Sequence, residues 1–191
     1  MKISKRTKKL LAAAFLDQLK TKSFKKITIS DITSACDMTR MAFYYHFEDI
    51  YALVDWIFCE IIESSVSKEP SVDTWQDDYL NVFLAMRDKK VIIEKIWKSV
   101  DLINIEKTLV RLTHSLIDPV IDQKSTGMIL SDTDKKTISD FYIYALVGSL
   151  MRWATSGMKI DPYIVVNRLG LLINGTLEKA IHTIDEKNRL S

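Results

Sequence analysis

The sequence contains few of the residues that interrupt helices, with five glycines and three prolines in 191 residues. A fold built from many short strands needs frequent turns, and turns draw heavily on these two residue types. Long helices need far fewer of them. The scarcity therefore favours an all-α fold over a β-sandwich or barrel.

Cysteine is also scarce, and its two examples are Cys36 and Cys59. Both lie in apolar helical patterns, so we expect buried, reduced thiols rather than a disulfide or a metal pair. No apolar run approaches the roughly 18 residues that span a bilayer, and the basic N-terminus lacks the apolar core of a signal peptide. We therefore predict a soluble, cytoplasmic protein without a membrane segment.

Motifs typical of enzymes and metal sites are absent as well. The three histidines, His46, His114 and His182, are far apart, and no other ligands lie around them at metal-binding spacing. No nucleophile-elbow, zinc-protease or phosphate-loop pattern occurs. The sequence thus predicts no catalytic residues, no metal and no cofactor, and an all-helical enzyme is kept as a minor alternative.

Charge is distributed unevenly along the chain. Residues 1–47 carry ten Lys and Arg against three Asp and Glu, whereas residues 48–191 carry seventeen against twenty-two. A basic segment attached to a mildly acidic remainder is suited to a polyanion such as nucleic acid. A solvated basic tail is the alternative on charge alone.

Apolar residues recur at helical spacing through most of the chain. The pattern predicts nine helices, which cover residues 4–20, 30–36, 39–46, 48–66, 73 or 74 to 86, 91–100, 102–121, 131–154 and 161–184. A polar break with a proline at 67–71 follows the fourth of them.

The second and third helices are short, and only Cys36-Asp37-Met38 separates them. Two short helices with a tight break between them are the pattern of a helix-turn-helix. Thr28 or Ser30 can cap the first, Thr39 can cap the second, and Asp37 tolerates the left-handed backbone of a turn. The second helix should expose side chains suited to base edges and phosphates, namely Thr39, Arg40, Tyr44, Tyr45 and His46. For the two tyrosines, core packing is the alternative.

This stretch resembles the DNA-binding domain of the TetR family of transcription regulators. The resemblance rests on Thr28, Asp31, Ile32, Thr39, Arg40, Phe43, Tyr44, His46, Phe47 and Leu53. It implies a helix-turn-helix domain at 1–47 and a helical effector-binding and dimerisation domain at 48–191, with a connecting helix at about 48–66. The sequence departs from the family pattern at Asp37, where a turn glycine is usual, at Met41, where small residues are common, and at Ile50, where a lysine often meets a phosphate.

The resemblance also implies what the domain binds. The partner would be double-stranded DNA with a pseudo-palindromic operator, and the regulator would be a repressor, as is usual in the family. The DNA-binding residues would be Thr28, Thr39, Arg40, Met41, Tyr44, Tyr45 and His46, together with Lys5, Lys25 and Lys26 on phosphates.

The last two helices are apolar on more than one side, so each needs cover on more than one side. A small domain cannot supply that cover alone. We therefore predict a two-fold homodimer in which these helices form a four-helix bundle. Its interface would contain Phe141, Leu146, Gly148, Leu150, Leu169, Ile173 and Leu177. Gly148, with Gly170 or Gly175, would permit close approach of the helices.

In the resembling family, the second domain encloses a small effector, and such pockets are apolar with a few polar groups. The corresponding candidates here are Trp56, Trp75, Phe83, Met86, Trp97, His114 and Tyr144. The alternative is that the aromatic residues simply fill the core.

A weaker resemblance points to one branch of the family, the dihydroxyacetone-kinase-operon regulators. It rests on the runs 43–47 and 55–58 and on Phe141, Gly148, Trp153, Gly157 and Pro162. It implies an activator that works with a co-activator protein. A helical adaptor that binds another protein and has no ligand response is a further alternative.

Overall fold

The structure, a computed structural model, describes residues 2–99 and 102–190, and their side chains except those of 2–3 and 102–104. Within these ranges the regular structure is helical throughout, as predicted. The helices are α1 (Lys2–Thr21), α2 (Ile29–Ser34), α3 (Arg40–Tyr44), α4 (Ile50–Glu63), α5 (Trp75–Asp88), α6 (Lys90–Trp97), α7 (Leu102–Lys124), α8 (Asp132–Thr155) and α9 (Pro162–Arg189). A single 3-10 turn, Phe24–Lys26, lies between α1 and α2.

Capping side chains explain where several of these helices begin. Ser131 accepts a hydrogen bond from the backbone N–H of Asp134, whose carboxylate accepts in return from the N–H of Ser131, and this reciprocal pair starts α8. Asp161 caps α9, with Pro162 at the first helical position. Pro119 lies inside α7, which continues to Lys124 instead of ending near residue 121. Val100, the predicted end of the sixth helix, lies outside the described residues.

The chain divides into two compact units. The first contains the chain up to Glu60 together with Lys89–Ile105, and the second contains Ile61–Asp88 and the chain from Glu106 onward. α6 is therefore grouped with the helix-turn-helix, although it lies far from it in sequence. The functional boundary at residues 47 and 48 stays a prediction.

The core of the first unit forms around α1. Leu11, Phe15 and Leu19 recur on one face of this helix and are fully buried. α1 packs against α2, and Phe15 meets the ring of Phe24 edge-on at 5.9 Å. Burial of one such side chain contributes about 1.5–3 kcal/mol, so this face fixes α1 against the helices that follow it.

The core of the second unit is arranged around α5, which packs against α9. The rings of Tyr79 and Phe83 lie 5.0 Å apart, and Phe83 lies 4.7 Å from Trp153 of α8. Gly170 of α9 sits where a Cβ atom would come within 2.3 Å of the side-chain oxygen of Gln76. The three nearest atoms belong to the terminal amide of Gln76, so a side chain at this position would displace that amide.

In the part of the chain that the structure describes, no helix combines the length and apolar character needed to cross a bilayer.

Candidate DNA-binding surface

The first helix of the helix-turn-helix, α2, is fixed at its N-terminus by a reciprocal cap. The Thr28 side chain accepts from the N–H of Asp31 at 3.1 Å, and the Asp31 carboxylate accepts from the N–H of Thr28 at 2.9 Å. Lys22 adds a charged hydrogen bond to Asp31 at 3.0 Å. These bonds, led by that from the Thr28 backbone, lower the pKa of Asp31 from 3.8 to about 2. Thr28, predicted to contact DNA, thus has a local structural role as well.

The turn that follows α2 uses Asp37 in the left-handed region, with a φ of 53°. The N–H of Met38 reaches back to the carbonyl of Thr33 at 2.9 Å, and the N–H of Asp37 reaches that of Ser34 at 3.5 Å. These are the two bonds of a Schellman motif, which ends a helix sharply. Aspartate is among the few non-glycine residues that adopt this backbone readily, so the departure from the family's glycine preserves the turn.

The third helix, α3, is shorter than predicted. Thr39 caps it by accepting from the N–H of Ala42 at 3.2 Å, and the helix ends at Tyr44 rather than His46. Because the Thr39 oxygen serves as the acceptor of the cap, its O–H remains a donor that can face outward. Tyr45 and His46 follow the helix, with their rings 5.0 Å apart.

The two faces of α3 differ completely in burial. Phe43 is fully buried and packs against Phe47, with ring centroids 5.7 Å apart. Met41 is 77% exposed and Tyr45 is 84% exposed. Arg40 and Tyr44 are exposed on the same segment, and His46 is half-buried. The exposed set therefore combines one cation, one thioether and two phenols on one short segment.

The predicted phosphate-binding lysines fall into two groups. Lys25 and Lys26 are exposed on the 3-10 turn between α1 and α2. Lys5 instead forms an ion pair with Glu60 of α4 at 2.8 Å, so a phosphate contact by Lys5 would have to replace this pair. Lys9 approaches the same carboxylate at 3.9 Å, and Lys8 lies 5.3 Å from the centre of the Phe47 ring. Charge counting cannot reveal which lysines already pair with a carboxylate of their own chain, because it ignores direction.

The chain resembles known proteins in both sequence and structure. Residues 73–175 match a family model described as the C-terminal region of TetR-type transcriptional regulators, and this match covers more than half of the chain. The chain belongs to the TetR family of transcriptional regulators. The resemblance found in the helix-turn-helix is thus confirmed from the other end of the chain.

One curated relative of this TetR-family regulator is the HTH-type dhaKLM operon transcriptional activator DhaS of Lactococcus lactis subsp. lactis (strain IL1403). It is 26% identical over 148 residues, which are 76% of this chain and 78% of the relative. A solved structure of a dihydroxyacetone kinase operon activator, DhaS, superposes with a TM-score of 0.69 at 22% identity. That match covers 90% of this chain and 96% of the other. The weaker resemblance to this branch is confirmed, and the shared fold is all-α.

The residues predicted to line an effector pocket are distributed over both compact units. Trp56 and Trp97 belong to the first compact unit, and the other five belong to the second. Trp75, Phe83 and Met86 are buried in the core, whereas Tyr144 is exposed on α8. Aromatic composition could not separate core residues from pocket residues, since both occupy apolar faces of helices.

His114 does line a cleft, and its volume is about 310 Å³. The cleft lies between α7 and α8, and most of its other lining residues carry polar or charged side chains, namely Asp118, Asp122, Lys135, Lys136 and Ser139, with Ile121 beside them. The imidazole lies 3.1 Å from Asp118 and 3.5 Å from Asp140. Lys135 pairs with Asp122 at 2.7 Å, and Lys136 with Asp140 at 2.8 Å. The described residues contain no cluster of three or more His, Cys, Asp or Glu side chains suited to a metal ion.

The predicted interface residues also divide into two sets. Leu146, Leu150, Ile173 and Leu177 are buried within the chain itself, so they are covered without a partner. Phe141 and Gly148 are exposed, and Leu169 is half-buried. Part of the apolar surface of α8 and α9 is therefore buried inside one chain, where the two helices pack against each other.

A second set of apolar residues on these helices remains at the surface. We call it the α8–α9 face, and it consists of Phe141, Tyr144 and Gly148 on α8 with Ile164, Leu171, Leu172 and Gly175 on α9. Phe141 is 70% exposed, Leu171 is 78% exposed and Leu172 is 64% exposed. Most of these residues are spaced three, four or seven apart and Leu172 directly follows Leu171, which places them on one side of each helix. Sequence periodicity alone did not distinguish this face from the buried one.

Proposed function

We propose that this regulator reads a DNA operator with the exposed segment 39–46. The observation that carries the proposal is the contrast across α3, where Phe43 anchors the helix inward and Arg40, Met41 and Tyr44 are left outward. Arg40 can donate to guanine or phosphate oxygens, and the apolar parts of Met41 and the tyrosines can contact thymine methyl groups. Thr28, Thr39, Lys25 and Lys26 would contact the phosphates that flank these bases.

We further propose that the protein acts as a homodimer through the α8–α9 face. A monomer rarely leaves a large contiguous apolar surface in water. The glycines support the same conclusion. A Cβ atom added at Gly148 or Gly175 would meet no described atom of the chain within 4 Å, yet glycine inside a helix costs about 1 kcal/mol relative to alanine. Close approach by the helices of a second copy would explain why glycine occupies these two positions.

A two-fold dimer presents two copies of α3, so its operator would be pseudo-palindromic. In dimeric helix-turn-helix proteins the half-sites lie one helical turn, or a multiple of it, apart. The protein would then act in the compartment that holds the DNA, in agreement with the predicted cytoplasmic location.

The test uses the DNA upstream of the gene for this protein. Footprinting with the unaltered protein locates the operator within that DNA. Arg40→Ala should weaken operator binding roughly 10- to 100-fold, the range expected for loss of one specific base contact. Arg111→Ala, the same change at an exposed residue of α7, serves as the matched control. Binding by the unaltered protein should also weaken steeply with salt. Unchanged affinity in Arg40→Ala would refute the assignment of α3.

Modulation of operator binding is proposed at the cleft beside His114. Its acidic and basic groups already pair with one another, so a charged ligand would have to break a pair. The cleft therefore suits a small, uncharged, polar effector. His114→Ala should remove the effect of such a molecule on operator affinity while leaving affinity in its absence unchanged.

The sign of regulation has a second candidate besides repression. The curated relative is a transcriptional activator, which favours activation. A co-activator protein is what the resemblance to that branch implied. A promoter–reporter fusion separates the two, because deletion of the gene lowers expression from an activated promoter and raises it from a repressed one.

A further inference from the structure

The C-terminal end of α1 is held by a side chain from a distant part of the sequence. The last carbonyl groups of an α-helix lack partners within the helix. Here the ammonium of Lys95 donates to the carbonyl oxygen of Leu19 at 2.6 Å and to that of Lys20 at 2.9 Å. A cation at this position also complements the negative end of the helix dipole. Lys95 thus forms a charged clamp over the last turn of α1.

α6, which carries Lys95, is itself anchored by buried side chains. Ile93, Ile96 and Trp97 on the same helix are buried. The ring of Trp97 lies 5.8 Å from that of Phe58 in α4. α6 also packs against α1 and belongs to the same compact unit. Lys95 therefore reaches α1 from a helix that is packed into the core of the same compact unit.

The clamped end of α1 continues directly into the helix-turn-helix. Lys22, one residue beyond the end of α1, donates to Asp31 of α2 at 3.0 Å. Asp31 in turn belongs to the reciprocal cap that starts α2. Contacts therefore run without a gap from α6 through the end of α1 to α2, which packs against α3.

We propose that Lys95 is a positioning residue for DNA binding. By holding the end of α1, it fixes the orientation of α2 and hence of α3, and it does so without contacting DNA. The inference rests on the proposed role of α3 in reading the operator. Neither the charge asymmetry nor the helix-turn-helix motif indicates this role, since Lys95 lies in the acidic part of the chain.

The test compares three variants for their affinity toward the footprinted operator across a range of salt concentrations. Lys95→Met keeps an unbranched stem and removes the donors, Lys95→Arg keeps a charged donor, and Lys98→Met makes the same charge change at an exposed position of the same helix end. We expect Lys95→Met to lose roughly 10-fold in affinity, the scale of a charge-assisted hydrogen bond. Lys95→Arg should recover most of the loss, and Lys98→Met should match the unaltered protein.

The salt dependence separates positioning from direct contact. A lysine that binds a phosphate contributes about 0.9 to the slope of log affinity against log salt. The proposal predicts an unchanged slope in Lys95→Met, and a slope reduced by about one would overturn it. Unchanged affinity in Lys95→Met, or a loss matched by Lys98→Met, would overturn it as well.

Circular dichroism at the assay temperature addresses the remaining structural explanation. If Lys95→Met lost helical content and its affinity fell only in proportion to its folded fraction, Lys95 would act on stability alone and the proposal would be wrong. If the unaltered protein bound no operator, the proposed function itself would fail, which is a distinct result.

Discussion

Single residues determine how the helix-turn-helix begins. Thr28 and Asp31 stand three apart in the sequence, which is the spacing that lets each side chain reach the backbone N–H of the other. The structure shows both bonds, together with a third from Lys22. The sequence predicted a cap at Thr28 or Ser30, and Thr28 is the one that forms it. What the pattern did not indicate is that Lys22 joins the same carboxylate.

A pH dependence follows from Asp31. Because its pKa is lowered from 3.8 to about 2, its ionised form stabilises the folded state at pH values above about 4, and this stabilisation is lost as the pH falls through 2. Asp31→Asn should therefore lower the thermal unfolding temperature at pH 7. The difference from the unaltered protein should shrink between pH 4 and pH 2, as followed by circular dichroism.

Asp17→Asn provides the control at the same scale. Asp17 pairs with Lys20 at 2.9 Å on an exposed surface of α1, where such pairs contribute little. Asp17→Asn should leave the unfolding temperature nearly unchanged both at pH 7 and between pH 4 and pH 2. A constant difference between Asp31→Asn and the unaltered protein down to pH 2 would contradict the assigned role of the carboxylate.

At the scale of whole helices, the amphipathic pattern of α5 predicted its buried face correctly. The pattern did not indicate whether that face forms core or lines a pocket. Trp75, Phe83 and Met86 do share a buried face, as their spacing indicated. That face is covered by other helices of the same compact unit, so it forms core. Whether a helix face meets protein or ligand depends on what lies opposite, and periodicity carries no information about that.

The packing of α5 against α8 yields a prediction. The phenol of Tyr79 is buried and donates to the carbonyl oxygen of Leu146 at 2.7 Å, and burial raises the pKa of Tyr79 far above its usual range. Tyr79→Phe removes this one bond and should cost about 0.5–1.5 kcal/mol in the free energy of unfolding. For a chain of this size, each kcal/mol lowers the unfolding temperature by roughly 2–4 °C, so the expected fall is roughly 1–6 °C.

Tyr163→Phe is the matched control, since Tyr163 is exposed on α9. Calorimetry should find its unfolding temperature within about 1 °C of the unaltered protein, as is usual for surface changes. Equal effects of the two substitutions would show that the buried bond contributes nothing specific.

For the whole molecule, the decisive expectation is the dimer. Leu172→Glu introduces a charge on the α8–α9 face, where an unpaired charge would be buried by a second copy. We expect the unaltered protein to be mainly dimeric at micromolar concentration, as measured by sedimentation. The Leu172→Glu variant should be monomeric at the same concentration and should retain its helical content. Operator affinity should fall with it, because two copies of α3 are no longer joined.

Leu190→Glu tests whether any exposed leucine would give this result. Leu190 is exposed at the end of α9 and lies outside the α8–α9 face. It should leave the dimer intact. A monomeric unaltered protein would contradict the dimer itself. A dimer that survives Leu172→Glu would show that the interface lies elsewhere.

The sequence by itself determined the helical class, the position of the helix-turn-helix and the family, because these depend on periodicity, caps and an ordered motif within a short stretch. Thr28, Asp37 and Thr39 could be assigned for that reason, since their roles involve neighbours a few residues away. Only the tertiary structure decided that Lys5 pairs with Glu60, that Leu146 and Ile173 are covered by their own chain, and that Lys95 clamps α1. Each of these depends on which helix lies opposite, and that is a long-range property that local pattern does not contain.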